Sequence, residues 1–430
     1  MTSDGCAANL SPLGVGIGWR PEIDLTVERL PGVDFVEVIA ENIDPRRLPD
    51  SLKALRDRGV PVIPHGVSLS LGSTRPPDGR RLEHLAACAD ALQSPLVSEH
   101  IAYTRAGKFD AGHLVPLPRT TAALDALGEN VRSVQAALPV PLALENVAPL
   151  FRWPHEEMTE GAFLRALVEQ TNAHLLLDLA NLHTAHANLG ISPTEVLDTL
   201  PLERVAYVHV AGGTLRDGLW RDTHAHPVPD SVLDLLAELA ARITVPGVLL
   251  EHDRNYPQDS QLAAELAALR HTAFRTGRPS RQPLTPRPKP LRPVGAAGQQ
   301  DLQREQEDLL RCLTAGGPAP AGFDAERLAV QAQTLASRKA RHSACRHAPR
   351  PQERNARRLL PRLLGNHSPS SGPSSILRQI VILVGDSISR LLPRRGRPSR
   401  FPRSGAIGLP GCGMRGCKKF GVSDSWKMRL

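Results

Sequence analysis

The sequence predicts an α/β fold, a (β/α)8 TIM-like barrel over residues 12–276, followed by a short helical segment and a basic tail. Three observations carry that prediction. Eight short, nearly continuous apolar runs alternate with longer helical patterns through the first 276 residues. The span matches the ~250 residues typical of such barrels. Parallel strands covered on both faces are expected to read as unbroken apolar runs rather than as an apolar/polar alternation.

The runs follow in order. GVGIGW (14–19) is the first and VDFVEVIA (33–40) the second, with the helical SLKALRDRG behind it. VPVIPHG (60–66) is the third. PLVSEHIAY (95–103) is the fourth, and TTAALDALGENVRSVQAAL after it reads as a long helix. PLALENV (141–147), AHLLLDLAN (173–181) and VAYVHVAG (205–212) are the fifth to seventh. SVLDLLAELAARI gives a helix before the eighth run, PGVLLEHD (246–253). QLAAELAALRHTAF closes the pattern, with Leu262, Leu266 and Leu269 along one helical face. A doubly wound open sheet is the alternative. It calls for a Gly-rich phosphate loop after the first strand, and GVGIGWRPE has the glycines without the spacing.

Composition changes after Arg275. Residues 277–298 are dense in Pro and Arg and read as an extended linker. Residues 299–346 recover a helical pattern in QQDLQREQEDLLRCLTAGG and DAERLAVQAQTLASRKA. Residues 347–430 are rich in Arg, Pro, Ser and Gly and are expected to be disordered, because they bury too little apolar surface to offset the entropy of ordering. A chain ended after Thr276 is accordingly expected to remain a metal-binding barrel.

The formal charge of +8 conceals a split. Residues 1–276 hold 23 Lys and Arg against 35 Asp and Glu, a net of −12, and residues 277–430 hold 29 against 9, a net of +20. The acidic barrel argues against a nucleic-acid enzyme, since duplex binding rests on neutralising phosphates. The six cysteines are scattered, and CGMRGC has no second half to complete a zinc site. MTSDGCAANLSPLG lacks a basic region followed by an apolar run. ILRQIVILVGDSISRLL is interrupted by Arg378 and Asp386 and is too short to span a bilayer. A cytoplasmic protein without a membrane partner is expected.

The chemistry lies at the strand ends. The third run ends at His65, the fourth at His100, the fifth at Glu145, the sixth at Asp178 followed by Asn181, the seventh at His209 and the eighth at Glu251. RDTHAH, after the seventh, adds Asp222 and His224. A parallel barrel brings all these ends to one face, where active sites sit. A single strand-end His or Glu is ordinarily a hydrogen-bonded structural residue. Six consecutive strands ending this way instead call for a compensating cation, because buried carboxylates are costly. Imidazole and carboxylate together suit zinc, iron or manganese. Nine candidate ligands exceed the needs of one ion, so two or three ions are expected. Chain order groups His65, His100 and Glu145 in one site and Asp178, His209 and Glu251 in a second, with Glu145 able to bridge. Asn181, Asp222 and His224 are left for a third. Glu37, Glu41 and Asn42 are weaker candidates for supporting roles, as are His183 and His186. His113 is expected on a loop able to cover the site. His252 follows Glu251 directly and should face away from it, while Asp253 comes next.

PHGVSLSLGS, SEHIAY, LPRT, ALENV, LLLDLANLH, VHVAGG, DTHAHPV and LLEHDRNYP carry a resemblance, covering about residues 12–272. The chain resembles the multinuclear non-haem iron-dependent oxidase family, whose members include the iron subunit of methanobactin biosynthesis and the peptide cysteine oxidase of the thioglutamate pathway. That resemblance implies a TIM-like barrel with two or three irons (Fe2+/Fe3+). It implies O2-dependent oxidation of cysteine in a ribosomally made precursor peptide, with a leader-binding partner protein. The family's ligands fall on His65, His100, Glu145, Asp178, Asn181, His209, Asp222, His224 and Glu251. Residues 299–342 also resemble a small helical domain that accompanies some members. The competing readings are a zinc-dependent hydrolase of the endonuclease type, disfavoured by the acidic barrel, and a sugar isomerase barrel, which favours carboxylates over this many imidazoles. A degenerate barrel acting only as a binding subunit fits poorly with so complete a ligand set.

Overall fold

The computed structural model describes residues 10–274 and 295–347. Most of the expected linker and the basic tail from residue 348 onward lie outside the described residues.

β1 (Gly14–Trp19) leads into α1 (Asp24–Arg29), β2 (Phe35–Ile39) into α2 (Asp50–Asp57), and β3 (Val62–Gly66) into α3 (Gly79–Leu92). β4 (Val97–His100) is followed by a hairpin, β5 (Ala102–Ala106) and β6 (Phe109–Pro116), and then by α4 (Thr121–Ala137). β7 (Leu142–Glu145) leads into α5 (Glu160–Thr171), and β8 (His174–Asp178) into α6 (Leu179–Leu189) and α7 (Pro193–Thr199). After β9 (Val205–Ala211) comes a second hairpin, β10 (Gly213–Arg216) and β11 (Leu219–Asp222), then α8 (Asp230–Arg242). β12 (Gly247–Glu251) and α9 (Asp259–Phe274) complete the ring. Eight parallel strands close it in the order β1-β12-β9-β8-β7-β4-β3-β2. Each of the eight apolar runs holds one of them.

The two hairpins were not expected. β5 and β6 pair antiparallel around Gly107, whose φ of +55° suits a residue without a Cβ. His113, expected on a loop, therefore lies on strand β6.

The barrel interior is layered with a period of two residues, as alternating side-chain direction requires. Phe35, Ile63, Leu96, Ala143, Leu176, Tyr207 and Leu249 form a buried apolar cluster inside the ring. Two residues further along the same strands stand Glu37, His65, Ser98, Glu145, Asp178, His209 and Glu251. Gly16 makes this packing possible, since a Cβ there would lie 2.6 Å from the Phe35 ring. The larger core cluster fills the space between strands and helices, with Val36, Val97, Leu144, Val208 and Leu250 among its members.

α10 (Ala296–Ala315) and α11 (Ala325–His347) pack against α4 and the β5–β6 hairpin. Their Leu302, Leu309, Leu310, Leu313, Leu328 and Leu335 are buried in the same core cluster as the barrel's outer layer. Gln306 donates to the Gly72 carbonyl at 2.8 Å, and Arg327 donates to the carbonyls of Leu150 and Asn188. Phe323, between the helices, packs edge-on against Phe151 and Trp153. No helix among the described residues is long and apolar enough to cross a membrane.

Candidate metal centre

The strand-end residues meet at the C-terminal face, and β8 shows how the chain accomplishes this. LLLD ends the strand at Asp178, and Leu179 already begins α6. The Asp178 carboxylate accepts from the Asn181 backbone N–H at 2.9 Å, so one residue serves as strand end, helix cap and candidate ligand. That is why no turn residue separates strand from helix.

Three overlapping groups of ligand atoms result: His65, His100 and Glu145; Glu145, Asp178 and His209; Asp178, His224 and Glu251. Within each, one donor atom per residue lies within 4.8 Å of the others. Glu145 and Asp178 each belong to two groups. The grouping differs from chain order, which had put Glu251 with His209 and left His224 with Asn181 and Asp222.

Each of the four imidazoles has one nitrogen fixed by a polar group outside these clusters. His65 Nδ1 meets Ser98 Oγ at 2.8 Å, and His100 Nδ1 meets the Gly66 carbonyl at 3.1 Å. His209 Nε2 meets Glu37 Oε2 at 2.9 Å, and His224 Nε2 meets Asp222 Oδ2 at 2.7 Å. The other nitrogen then faces the carboxylates. His65 and His100 Nε2 lie 3.3 and 3.2 Å from Glu145 Oε2. His209 Nδ1 lies 3.3 Å from Glu145 Oε1 and 3.4 Å from Glu251 Oε2. His224 Nδ1 lies 3.3 Å from Glu251 Oε2. Orienting a ligating imidazole through its second nitrogen is the usual support for a metal ligand.

The buried polar atoms fit a bound metal as well. Glu145 Oε2, Asp178 Oδ2, His209 Nδ1 and His224 Nδ1 are buried without a hydrogen-bond partner. Such orphans are costly unless something compensates them. A divalent cation is a compensating group that all four accept, being lone-pair donors of the hard and borderline types that bind iron, manganese or zinc.

The charged groups of the cluster act strongly on one another. Burial opposes the charged form of His100, but Glu145 and Glu99 outweigh it and raise its pKa to about 9. Burial likewise opposes the Glu145 carboxylate, and His100 and His209 hold it down at about 2. Burial raises Asp178 well above the carboxylate range, and the charges of Glu145 and Asp222 push it the same way. Arg20 donates to Glu251 at 3.0 Å and to Asp253 at 2.8 Å, closing the β1 side of the site.

The remaining candidates fall around this centre. Asp222, at the end of β11, is in none of the three groups and holds His224, which takes the left-handed conformation with φ of 49°. Asn181 stands beside Asp178, with its side-chain amide donating to the Asn146 carbonyl at 2.8 Å. Glu37, buried, supports His209. Glu41 accepts from the Val67 backbone, and Asn42 is exposed. His183 packs against Trp220, and His186 Nδ1 meets the Ile191 carbonyl. His252 faces outward to Glu265 at 3.3 Å, as alternation requires. His113 is bonded to Arg338 of α11. Sequence reasoning missed Arg20, Ser98, Asn146 and Tyr207, whose hydroxyl lies 2.6 Å from Glu37 and 2.8 Å from Ser98. The signal for Ser98 and Tyr207 was their place two residues before His100 and His209.

Residues 14–273 match the family described as RiPP precursor modification enzyme MbnB/TglH/ChrH. The chain belongs to this family. It is therefore an enzyme of ribosomally made peptide modification, and its ligand-rich face is the candidate centre of a metal-dependent member. Residues 303–363 match a second description, SCO6045-like, C-terminal domain. A UPF0276 protein of Streptomyces avermitilis is 50% identical over 382 residues, covering 77% of this chain and 78% of that one. A UPF0276 protein of Caulobacter vibrioides is 37% identical over 274 residues, covering 61% of this chain and 96% of its own. Among solved structures, 3-keto-D-glucoside 4-epimerase YcjR of E. coli aligns at 15% identity with a TM-score of 0.40, covering 60% of this chain and 99% of that one. The TTHB071 protein of Thermus thermophilus, soaked with ZnCl2, aligns at 20% identity and a TM-score of 0.40, covering 61% and 99%.

Proposed function

We propose that the protein is a multinuclear iron-dependent oxidase that uses O2 to oxidise a cysteine of a ribosomally made precursor peptide. In this reading a separate partner protein binds the peptide's leader. The observation that carries it is the sharing of Glu145 and Asp178 among three overlapping ligand groups, an arrangement suited to adjacent ions. His65 and His100 with Glu145 would hold one iron. His209 with Glu145 and Asp178 would hold a second, and His224 with Asp178 and Glu251 a third.

Iron held there supplies redox chemistry and an affinity for a thiolate sulfur. The chain's own residues do the rest. Ser98, the Gly66 carbonyl, Glu37 and Asp222 fix the four imidazoles, so that the other nitrogen of each is turned toward the centre. Arg20 balances Glu251 and Asp253. The apolar layer beneath excludes water from the barrel side.

The test is elemental analysis with Mössbauer spectra on protein from iron-replete expression, together with O2 consumption in the presence of a cysteine peptide. Iron at two or more per chain with peptide-dependent O2 uptake is the expected result. Stoichiometric zinc without iron would overturn the oxidase reading and favour hydrolysis.

A further inference from the structure

Beside His100, the segment after β3 and the first turns of α3 enclose a cleft of about 340 Å³, walled in part by Glu41, Gly66, Ser68, Asp78, Arg80 and Arg81. Gly66 belongs to both places. Its carbonyl fixes His100 Nδ1 at 3.1 Å, and it also lines the cleft. The cleft therefore adjoins the candidate centre on the same face of the barrel.

Its charges are unevenly committed. Asp78 caps α3, accepting from the backbone N–H groups of Arg80 at 2.9 Å and Arg81 at 3.4 Å. Glu41 accepts from the Val67 backbone at 3.0 Å. Both carboxylates are thus occupied by neutral donors. Among the described residues, the guanidinium groups have no carboxylate partner of their own. Arg81 donates to the Ser68 carbonyl at 3.1 Å, and nearby Arg105 donates to the Ser68 and Leu69 carbonyls. The side chain of Arg80 is exposed and makes no ion pair among the described residues. Burial and the neighbouring charge of Arg81 lower the pKa of Arg105, outweighing the opposing charges of Asp110, Asp78 and Glu99. A barrel with a net charge of −12 would repel acidic peptides, yet at this cleft it gathers three arginines with no ion-pair partner among the described residues.

We propose that this cleft binds carboxylate side chains of the precursor peptide, close to the cysteine presented to the metal centre. Arg80 and Arg81 are then specificity-determining residues that select peptides with acidic residues near that cysteine. The planar, five-donor guanidinium fork matches a carboxylate, and guanidinium groups that make no ion pair can draw an anionic segment to this cleft. The inference rests on the peptide-substrate reading of the family, and not on the identity of the metal.

The test is fluorescence anisotropy on the full-length metal-loaded protein without O2. The probes are a labelled short peptide with one cysteine flanked on both sides by glutamates, and its glutamine counterpart. The acidic peptide is expected to bind tighter by about tenfold or more, the value of one or two charge-assisted hydrogen bonds. That preference should weaken with salt, and it should collapse in R80E and, separately, in R81Q. Unchanged metal content and thermal midpoint in these variants separate lost recognition from lost folding. If a variant misfolds, the salt dependence and the acid-versus-amide comparison in the wild type still decide. Equal binding of the two peptides, no binding of either, or a preference that survives in folded R80E and R81Q would overturn the proposal. So would displacement of the acidic peptide by inorganic phosphate but not by acetate at equal ionic strength, which would assign the cleft to phosphate. Each of these failures leaves the iron analysis untouched, so it is distinguishable from failure of the oxidase reading.

Discussion

Glu145 and Asp178 end neighbouring parallel strands, and their acidities are driven in opposite directions. Both are buried. Glu145 faces three imidazoles, which hold it ionised. Asp178 faces the charges of Glu145 and Asp222, which add to burial and press it toward the neutral acid. The side of the cluster around Asp178 is therefore where added positive charge gains most. Because each carboxylate belongs to two ligand groups, Glu145→Ala and Asp178→Ala are expected to lower metal stoichiometry by more than one ion per chain. His65→Ala, which touches one group, should lower it by one at most. Metal analysis of the three purified variants checks this, and equal losses would show that the carboxylates are not shared.

Glu37 tests the support beneath the ligands. It touches His209 and Tyr207 and belongs to none of the candidate ligand groups. Glu37→Gln keeps the shape and removes the charge that fixes the imidazole. Metal affinity is expected to fall by roughly 10–100-fold, the usual cost of losing such a partner. Competition with a chelator measures it, and near-ultraviolet circular dichroism should show the fold retained.

The helical pair α10 and α11 changes the expectation for a shortened chain. Removing it uncovers six buried leucines' worth of packing, each of order 1.5–3 kcal/mol as an upper estimate. It also bares Phe151 and Trp153. A chain ended at Thr276 is expected to unfold at a lower temperature or to aggregate, whereas a chain ended after His347 should keep the full-length midpoint. Thermal scans of both chains, with light scattering, decide between this and an autonomous barrel.

Glu160 gives a pH dependence away from the metal ligands. Burial raises its pKa to about 6, and one carboxylate oxygen is buried without a partner. A raised acid pKa means that the folded state holds the proton more tightly than the unfolded chain. Stability is therefore lost as pH rises from the unfolded value of 4.5 through about 6, and the penalty is complete above that. Glu160→Gln removes the ionisation. Relative to wild type, it should stabilise by about 1–2 kcal/mol at pH 8 and by little at pH 4. Urea unfolding of both proteins at the two pH values measures the difference.

The barrel was legible because its strands are apolar runs stopped by polar residues, and those polar residues are the site itself. His65, His100, Glu145, Asp178, His209 and Glu251 each stand out against the apolar residues before them. The same contrast hides Ser98 and Tyr207. An uncharged residue inside an apolar strand reads as ordinary core, and only its register with the ligand beyond it reveals a role. Asp222 and His224 were visible as a pair, but which of them faces the centre depends on the backbone turn at His224, and spacing alone does not encode that. The β10–β11 hairpin escaped because its strands have four residues each, too few to establish a period. The packing of α10 and α11 onto β5 and β6 joins segments nearly 200 residues apart, and local pattern carries no trace of it.

The two-residue offset between the apolar layer and the polar layer also governs which genetic changes the barrel tolerates. On β7, Ala143 and Glu145 share one face, and on β8, Leu176 and Asp178 do the same. Inserting or deleting one residue ahead of Ala143 or of Leu176 would turn both side chains of that strand outward together. It would withdraw a candidate ligand and open the floor beneath it in a single event, with Leu144 or Leu177 driven into the interior instead. Substitutions can tune this centre one position at a time. Length changes within the strands cannot, so insertions and deletions are tolerable only in the segments that join strand ends to helices, where the cleft of Arg80 and Arg81 lies.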